Sequence, residues 1–162
     1  MFREMRRFKQ QVSLRECQRI LSEEKRAAFS VNGDDGYPYT IPIDFYYDKD
    51  ENKIYFHGAV SGHKIDSLKV DDKVCFTVWN QGFIKEGAWE YNSTSVVIFG
   101  RAHLVSDTDV RIQKLRKLAL KYYPDSAMAH AENELSDDST LSRTAVFVID
   151  IEHMTGKLVN EK

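Results

Sequence analysis

The strongest constraint in this sequence is the order of its hydrophobic periodicities. Runs of β-forming residues at 27–32, 37–47, 53–57, 74–79, 94–105 and 144–151 follow one another, most of them joined by turns or one short helical stretch. A doubly wound parallel sheet needs a crossover-length helix between successive strands, and these connectors do not alternate with the strands in that way. The predicted class is therefore mainly β, of α+β type: an antiparallel barrel or sheet with its helices outside it.

Local signals place the remaining elements. Ser13-Leu14-Arg15-Glu16 is a capping box, and Leu14, Cys17, Ile20 and Leu21 recur at helical spacing, which predicts a helix from 14 to 25. Gly33-Asp34-Asp35-Gly36 supplies positive-φ positions for a hairpin turn. Asp107 can cap a second helix from Thr108 to Tyr122, with Ile112, Leu115, Ala119 and Tyr122 on its apolar face and Arg111, Lys114, Arg116 and Lys117 on its wet face. Pro124 stops it. The acidic, Ala-rich stretch 125–139 reads as a short surface helix or an ordered lid, and 80–93 as a long loop or a loosely specified strand.

The 162 residues carry 23 Lys and Arg against 25 Asp and Glu, a net charge of −2. A phosphate-tracking nucleic-acid surface needs an excess of cations, so that class is disfavoured, as is recruitment to anionic membranes by bulk charge. No apolar run is long enough to span a bilayer, and the charged N-terminus lacks the apolar segment of a secretory signal, so the expectation is a single cytoplasmic domain over 1–162. Cys17 and Cys75 lie far apart in apolar-periodic segments, which favours two buried free thiols over a disulfide. Aromatic content is 12%, and aromatics favour strands.

Two segments carry candidate chemistry. In Phe56-His57-Gly58-Ala59-Val60-Ser61-Gly62-His63-Lys64 the chain passes from a strand to a helix start, where free N–H groups, close-approach glycines and the Lys64 charge could hold a phosphate. A solvated surface turn is the alternative. A metal bound by His57 and His63 lacks a third ligand at metal-site spacing, since His103, His130 and His153 are scattered. In Tyr37-Pro38-Tyr39-Thr40-Ile41-Pro42-Ile43 two prolines remove ladder donors, so the strand is either a protected sheet edge or a place for a flat ring to lie against bare backbone. There is no nucleophile elbow and no Walker loop, and no catalytic residue is assigned.

Those segments, with Val74-Cys75-Phe76-Thr77-Val78, Ser95-Val96-Val97-Ile98-Phe99-Gly100-Arg101-Ala102 and Ile149-Asp150-Ile151-Glu152-His153-Met154-Thr155-Gly156-Lys157, resemble the nitroimidazole-resistance branch of the pyridoxamine 5′-phosphate oxidase-like, FMN-binding split-barrel superfamily. The resemblance implies a six-stranded antiparallel split barrel, a homodimer, and FMN, or FAD as the alternative flavin, bound between the subunits. It places Thr40, Ile41 and Pro42 along the isoalloxazine edge, His57, Gly58 and Ala59 along the ribityl chain, and His63 and Lys64 at the phosphate. The implied reaction is flavin-dependent oxidoreduction of a small molecule such as a nitro-aromatic or a B6 vitamer. Trp79, Phe83, Trp89 and Tyr91 are candidates for a flavin wall, core or interface. One departure stands out: Asn92-Ser93-Thr94-Ser95 replaces a Tyr-acidic-Ser run found in relatives, on the partner's side of the pocket.

Two other readings compete with the flavin enzyme. One is a non-catalytic flavin or haem carrier or sensor, with His57 or His63 as axial ligand. The other is a dimeric interaction module with no cofactor at all.

Overall fold

In the computed structural model, which describes residues 1–160, eight strands form one antiparallel sheet with five α-helices around it. Helix α1 (Leu14–Glu23) leads into β1 (Arg26–Asn32), β2 (Pro38–Asp44), the three-residue β3 (Tyr46–Asp48) and β4 (Lys53–Ala59). Then come α2 (His63–Val70), β5 (Lys73–Trp79), the two-residue β6 (Phe83–Ile84) and the long β7 (Tyr91–Leu104). Helices α3 (Thr108–Tyr122), α4 (Asp125–Leu135) and α5 (Asp138–Arg143) precede the closing β8 (Thr144–Asn160).

The strand order is β2-β1-β5-β7-β8-β4-β3, with β6 paired to β7. Its two outermost strands, β2 and β3, are separated in the chain by Phe45 alone. A sheet whose opposite edges are joined by one residue must curl round on itself, and because β2 forms no ladder with β4 the barrel stays split along that seam. The six long strands make the expected split barrel. The run 37–47, expected as one strand, breaks at Phe45 because the Tyr122 hydroxyl takes over as its partner: it accepts from the Phe45 N–H at 2.7 Å, and the carbonyls of Phe45 and Lys25 compete for its proton.

Alternation on the strands fills the barrel. Phe29, Phe45, Phe56, Phe76 and Phe147 are fully buried, with Phe56 stacked on Phe147 at 4.7 Å and Phe45 edge-on to Phe76 at 5.1 Å. Cys17, Ile20 and Leu21 of α1 join that cluster, and the Glu16 N–H donates to Ser13 Oγ at 3.2 Å, as the capping box predicts. The helix ends at Glu23, short of the predicted 25. Lys121 donates to the Glu24 carbonyl at 2.6 Å and lies 4.0 Å from the Phe45 ring, where burial pulls its pKa down to about 8. Cys75 is half-buried on the sheet's outer side, so only Cys17 meets the expectation of a buried thiol; both are free.

Helix α3 begins after Asp107, whose side chain accepts from the Val110 N–H at 2.9 Å. Half of its expected wet face, Arg116 and Lys117, is exposed; the other half is not. Lys114 is 3% exposed and bonds Asp48 at 2.9 Å and Glu51, while Arg111 donates to the carbonyls of Leu141 and Thr144, both at 2.6 Å. Arg116 makes a two-pronged pair with Glu132 of α4. The cations are there to tie α3 to the β3–β4 turn, α4 and α5, which helical periodicity in one segment does not reveal. The stretch 125–139 is helical, as α4 and the start of α5.

One close approach fixes the β7–β8 ladder. Its register shifts after Phe99, and a Cβ on Gly100 would lie 2.3 Å from the Asp150 carbonyl oxygen. That oxygen is backbone and cannot yield, so Gly100→Ala is expected to lower stability by about 1–3 kcal/mol, read as a fall in urea midpoint.

Candidate functional site

The seam between β2 and β4 is where the sequence's two candidate segments meet. Pro38 and Pro42 are an even number of residues apart, so both nitrogens face the same side of the strand, and the ladder to β1 uses the other side. β2 is an edge strand, as its prolines predict, and the backbone of Thr40 faces the open seam. Thr40 also holds Ser30 across the β1–β2 pair, Oγ1 to Oγ at 2.8 Å. Ile41 points the other way and packs against the barrel core.

On the opposite lip β4 pairs with β8 through Ala59, but with β3 only as far as Tyr55, so one edge of 56–59 is open. The pleat divides the three candidates here. Gly58 lies on the face that carries Ile54 and Phe56 into the core, while His57 and Ala59 face outward. At the end of β4 the chain turns into α2 through Gly62, the N-cap, at φ 121°, a backbone that L side chains rarely adopt. The Gly62 carbonyl accepts from the N–H groups of Ile65 and Asp66, which leaves those of His63 and Lys64, at the positive end of the helix, without a helical partner.

Three contacts hold this end of the seam together. The His63 ring stacks on Tyr39 of β2 at 4.1 Å, and its Nε2 lies 3.5 Å from an Asp34 carboxylate oxygen in the β1–β2 turn. Lys64 folds back over β4, its Nζ 5.2 Å from the centroid of Phe147 and 2.7 Å from where a Gly58 Cβ would stand. Among the described residues no carboxylate lies within ion-pair distance of that ammonium, and burial pushes its pKa below the usual lysine value. Gly58→Ala would press on the flexible end of Lys64 and not on backbone. It is therefore expected to leave the unfolding midpoint within about 1 kcal/mol of wild type while displacing the ammonium. A thermal melt combined with an anion-binding titration checks both halves.

The structure thus brings Thr40, Pro42, Gly58, His63 and Lys64 to one seam, while the Ile41 side chain turns into the core and Ala59 faces outward. His57 faces a different space, a cavity of about 690 Å³ between the barrel wall and α3, α4 and α5, which it shares with Asp44, Tyr122 and His130. His57 itself remains exposed at the cavity mouth; partial desolvation by the walls pushes its pKa down, against the pull of Asp44 and with the push of Lys64. That cavity was not legible in sequence, because its walls come from six separated elements. The pleat divides residues 92–95: Asn92 and Thr94 are buried, the Asn92 amide donating to the Glu90 carbonyl at 3.1 Å and the Thr94 N–H to Asn80 at 2.9 Å, while Ser93 and Ser95 are half-buried on the other face of β7. Trp79, Phe83, Trp89 and Tyr91 are all exposed, which removes the core from their possible uses. Among the described residues no cluster of three or more His, Cys, Asp or Glu is placed to hold a metal, and no helix is long and apolar enough to cross a membrane.

An antiparallel barrel, open along one seam and with a helix N-terminus and an unpaired ammonium at its end, defines the chain as a split-barrel protein. The sequence profile of the pyridoxamine 5′-phosphate oxidase family matches residues 13–158, and the chain belongs to that family. No curated protein matches the sequence significantly. Among solved structures it is similar to a candidate 5-nitroimidazole antibiotic resistance protein from Bacteroides thetaiotaomicron, at TM-score 0.78 and 19% identity over 93% of this chain and 87% of that one. It is also similar to the flavocytochrome Anf3 from Azotobacter vinelandii, at TM-score 0.76 and 23% identity over 98% of this chain and 75% of that one. A FAD and haem binding protein from Mycobacterium smegmatis matches at TM-score 0.75 and 19% identity, over 94% and 74% of the two chains.

Proposed function

We propose that this protein binds a flavin at the β2–β4 seam, FMN with FAD as the alternative, and acts as an oxidoreductase on a small molecule. The observation that carries the reading is Lys64, a half-buried ammonium without a carboxylate partner at the start of α2, beside a glycine that leaves it room. A cation so placed is stabilised by an incoming phosphate, to which the N–H groups of His63 and Lys64 add the helix dipole. The open edge at Thr40, flanked by two residues that cannot donate, suits the hydrogen-bonding edge of a flat ring, with Pro42 following it along the strand and Ile41 anchoring that strand to the core. Gly58 and Ala59 lie between the two ends, where a linking chain would run. The residues present therefore fit a phosphorylated flavin, which when bound would supply the electron transfer that this chain's own side chains cannot.

Fold similarity to the nitroimidazole-resistance protein and to flavin-binding relatives supports the reading, and nitro-aromatic reduction is the specific activity proposed. A homodimer is proposed with it. Trp79, Phe83, Ile84, Tyr91 and Phe99 are all exposed around the outer face of β5, β6 and β7, a surface that a second copy would cover. Light scattering on the eluting protein should give twice the chain mass.

The non-catalytic haem reading draws no support from His63, whose ring is already stacked on Tyr39 and faces Asp34. One spectrum separates the two readings. The purified protein, or the protein after addition of FMN or FAD, should show flavin absorbance; a colourless protein that takes up neither flavin overturns the proposal, and a Soret band on haem addition would replace it.

A further inference from the structure

The cavity that His57 enters has its own chemistry. Its walls are Leu115, Leu118 and Ala119 of α3, Ala127, Ala131 and Leu135 of α4, and Leu141 of α5, so most of its lining is apolar. The polar groups that reach it are Asp44, His57, His130, Glu134 and hydroxyls of Tyr and Thr, and no lysine or arginine is among the lining residues. Asp44 is paired with Arg26 on its outer side at 3.1 Å, and Glu134 accepts from the Thr140 hydroxyl at 3.1 Å. A phosphate or carboxylate entering this space would lose part of its water and meet two carboxylates with no cation in the lining to repay it, Arg26 being engaged on the outer side of Asp44 and Lys64 on the seam side of β4. An uncharged molecule meets apolar walls with imidazole and hydroxyl groups for one or two hydrogen bonds.

The geometry points to a second ligand site here, for an uncharged, largely apolar organic molecule of ring size, and against phosphorylated ligands, B6 phosphate esters included. The volume, about 690 Å³, lies within the range of small-molecule sites. His57 is one residue from Gly58 and Asp44 closes the end of β2, so the cavity abuts the outer side of the seam. Its use as the substrate room of the oxidoreductase rests on the flavin reading; its existence as a ligand site does not. Haem, with two ionised propionates, is the wrong charge for it.

The test is a matched pair of probes, 1-naphthol and 1-naphthyl phosphate, titrated calorimetrically into the full chain and into Ala127→Trp, which fills the cavity from α4. The expected result is 1-naphthol binding at one site per chain, weakened by about tenfold or more in Ala127→Trp, the scale set by losing a few buried contacts, while 1-naphthyl phosphate changes by less than about twofold. His130→Trp, at an exposed position on the same wall, repeats the test should Ala127→Trp fail to fold. If neither filling variant affects 1-naphthol, there is no site in this cavity; if the phosphate is the ligand weakened, the assigned class is wrong. Flavin uptake is read separately by absorbance. Loss of flavin binding with 1-naphthol binding intact overturns the seam reading alone, and the converse overturns the cavity alone.

Discussion

Lys64→Met is expected to lower flavin affinity by about 10- to 100-fold, because a hydrogen bond to a charged group contributes about 1.5–3 kcal/mol. The same change should leave the flavin-free protein as stable as wild type, or raise its melting temperature slightly. Both halves follow from one observation. Burial strips water from the ammonium, no carboxylate offsets that cost, and the Phe147 ring at 5.2 Å does so only in part. The sign with pH is fixed. A lysine whose folded pKa is depressed below its ordinary 10.5 binds fewer protons in the folded state, so its contribution to stability rises with pH between the two values. Flavin affinity runs the other way, and should fall as pH rises through the folded pKa of Lys64 and the ammonium is lost. Fluorescence titration of FMN against pH, beside thermal melts of both flavin-free proteins, checks the pair. A strong loss of stability in flavin-free Lys64→Met would mean that the residue is structural.

Lys114 is the opposite case, and Lys114→Met is expected to cost about 3–5 kcal/mol by leaving buried charge without its partner. For a chain of this length that corresponds to a fall in melting temperature of roughly 6–20 °C. Asp48 meets Lys114 at 2.9 Å, Glu51 meets it on the other side, and the Tyr55 hydroxyl donates to Glu51 at 2.5 Å. Burial alone would lower the Lys114 pKa and raise that of Asp48; the mutual hydrogen bonds outweigh it, so the lysine ends above its ordinary value and Asp48 below its own. Glu51 is lowered chiefly by its bonds from Lys114 and Tyr55. The carboxylates therefore stabilise the fold above their ordinary values of 3.8 and 4.5, and lose that contribution as pH falls through their depressed ones. The lysine's contribution is complete below 10.5 and is lost as pH rises through its elevated value. Neutralising the carboxylates too, in Lys114→Met with Asp48→Asn and Glu51→Gln, should recover part of the loss. The Asp48→Asn change keeps an acceptor oxygen for the Asp50 and Glu51 N–H groups that the carboxylate now caps. A triple variant no more stable than the single one would show that the network is not electrostatic.

The two lysines also mark how far the sequence could be read. Strands and helices were legible wherever a local signal stands close to the residues it governs: Ser13 before α1, Asp107 before α3, paired glycines and aspartates before β2. The prolines at 38 and 42 told that β2 is an edge, because a missing N–H is a property of the residue itself. The candidate seam was legible too, as a glycine-bounded strand end followed by a helix start with a lysine. Periodicity failed for part of α3: Arg111 and Lys114 are spaced as a solvated face together with Arg116 and Lys117, which are exposed, and nothing within the helix says that Asp48, Glu51 and the carbonyls of Leu141 and Thr144 come from elsewhere to meet the first two. The pleat separating His57 from Gly58 needed the register of β4 against β8.

What the sequence determined by itself was therefore the inventory: antiparallel strands in order, the caps, the proline edge and the residues proposed to hold an anion. The tertiary structure decided which of those residues face one another. Joining the two edges of the sheet through Phe45 curled it into a barrel and set Lys64 beside Gly58 without a counter-charge. Folding α3, α4 and α5 back over the wall set His57 at the mouth of a space with no lysine or arginine in its lining. Both results depend on contacts between residues far apart in the chain, and long-range closure of that kind leaves no local signature.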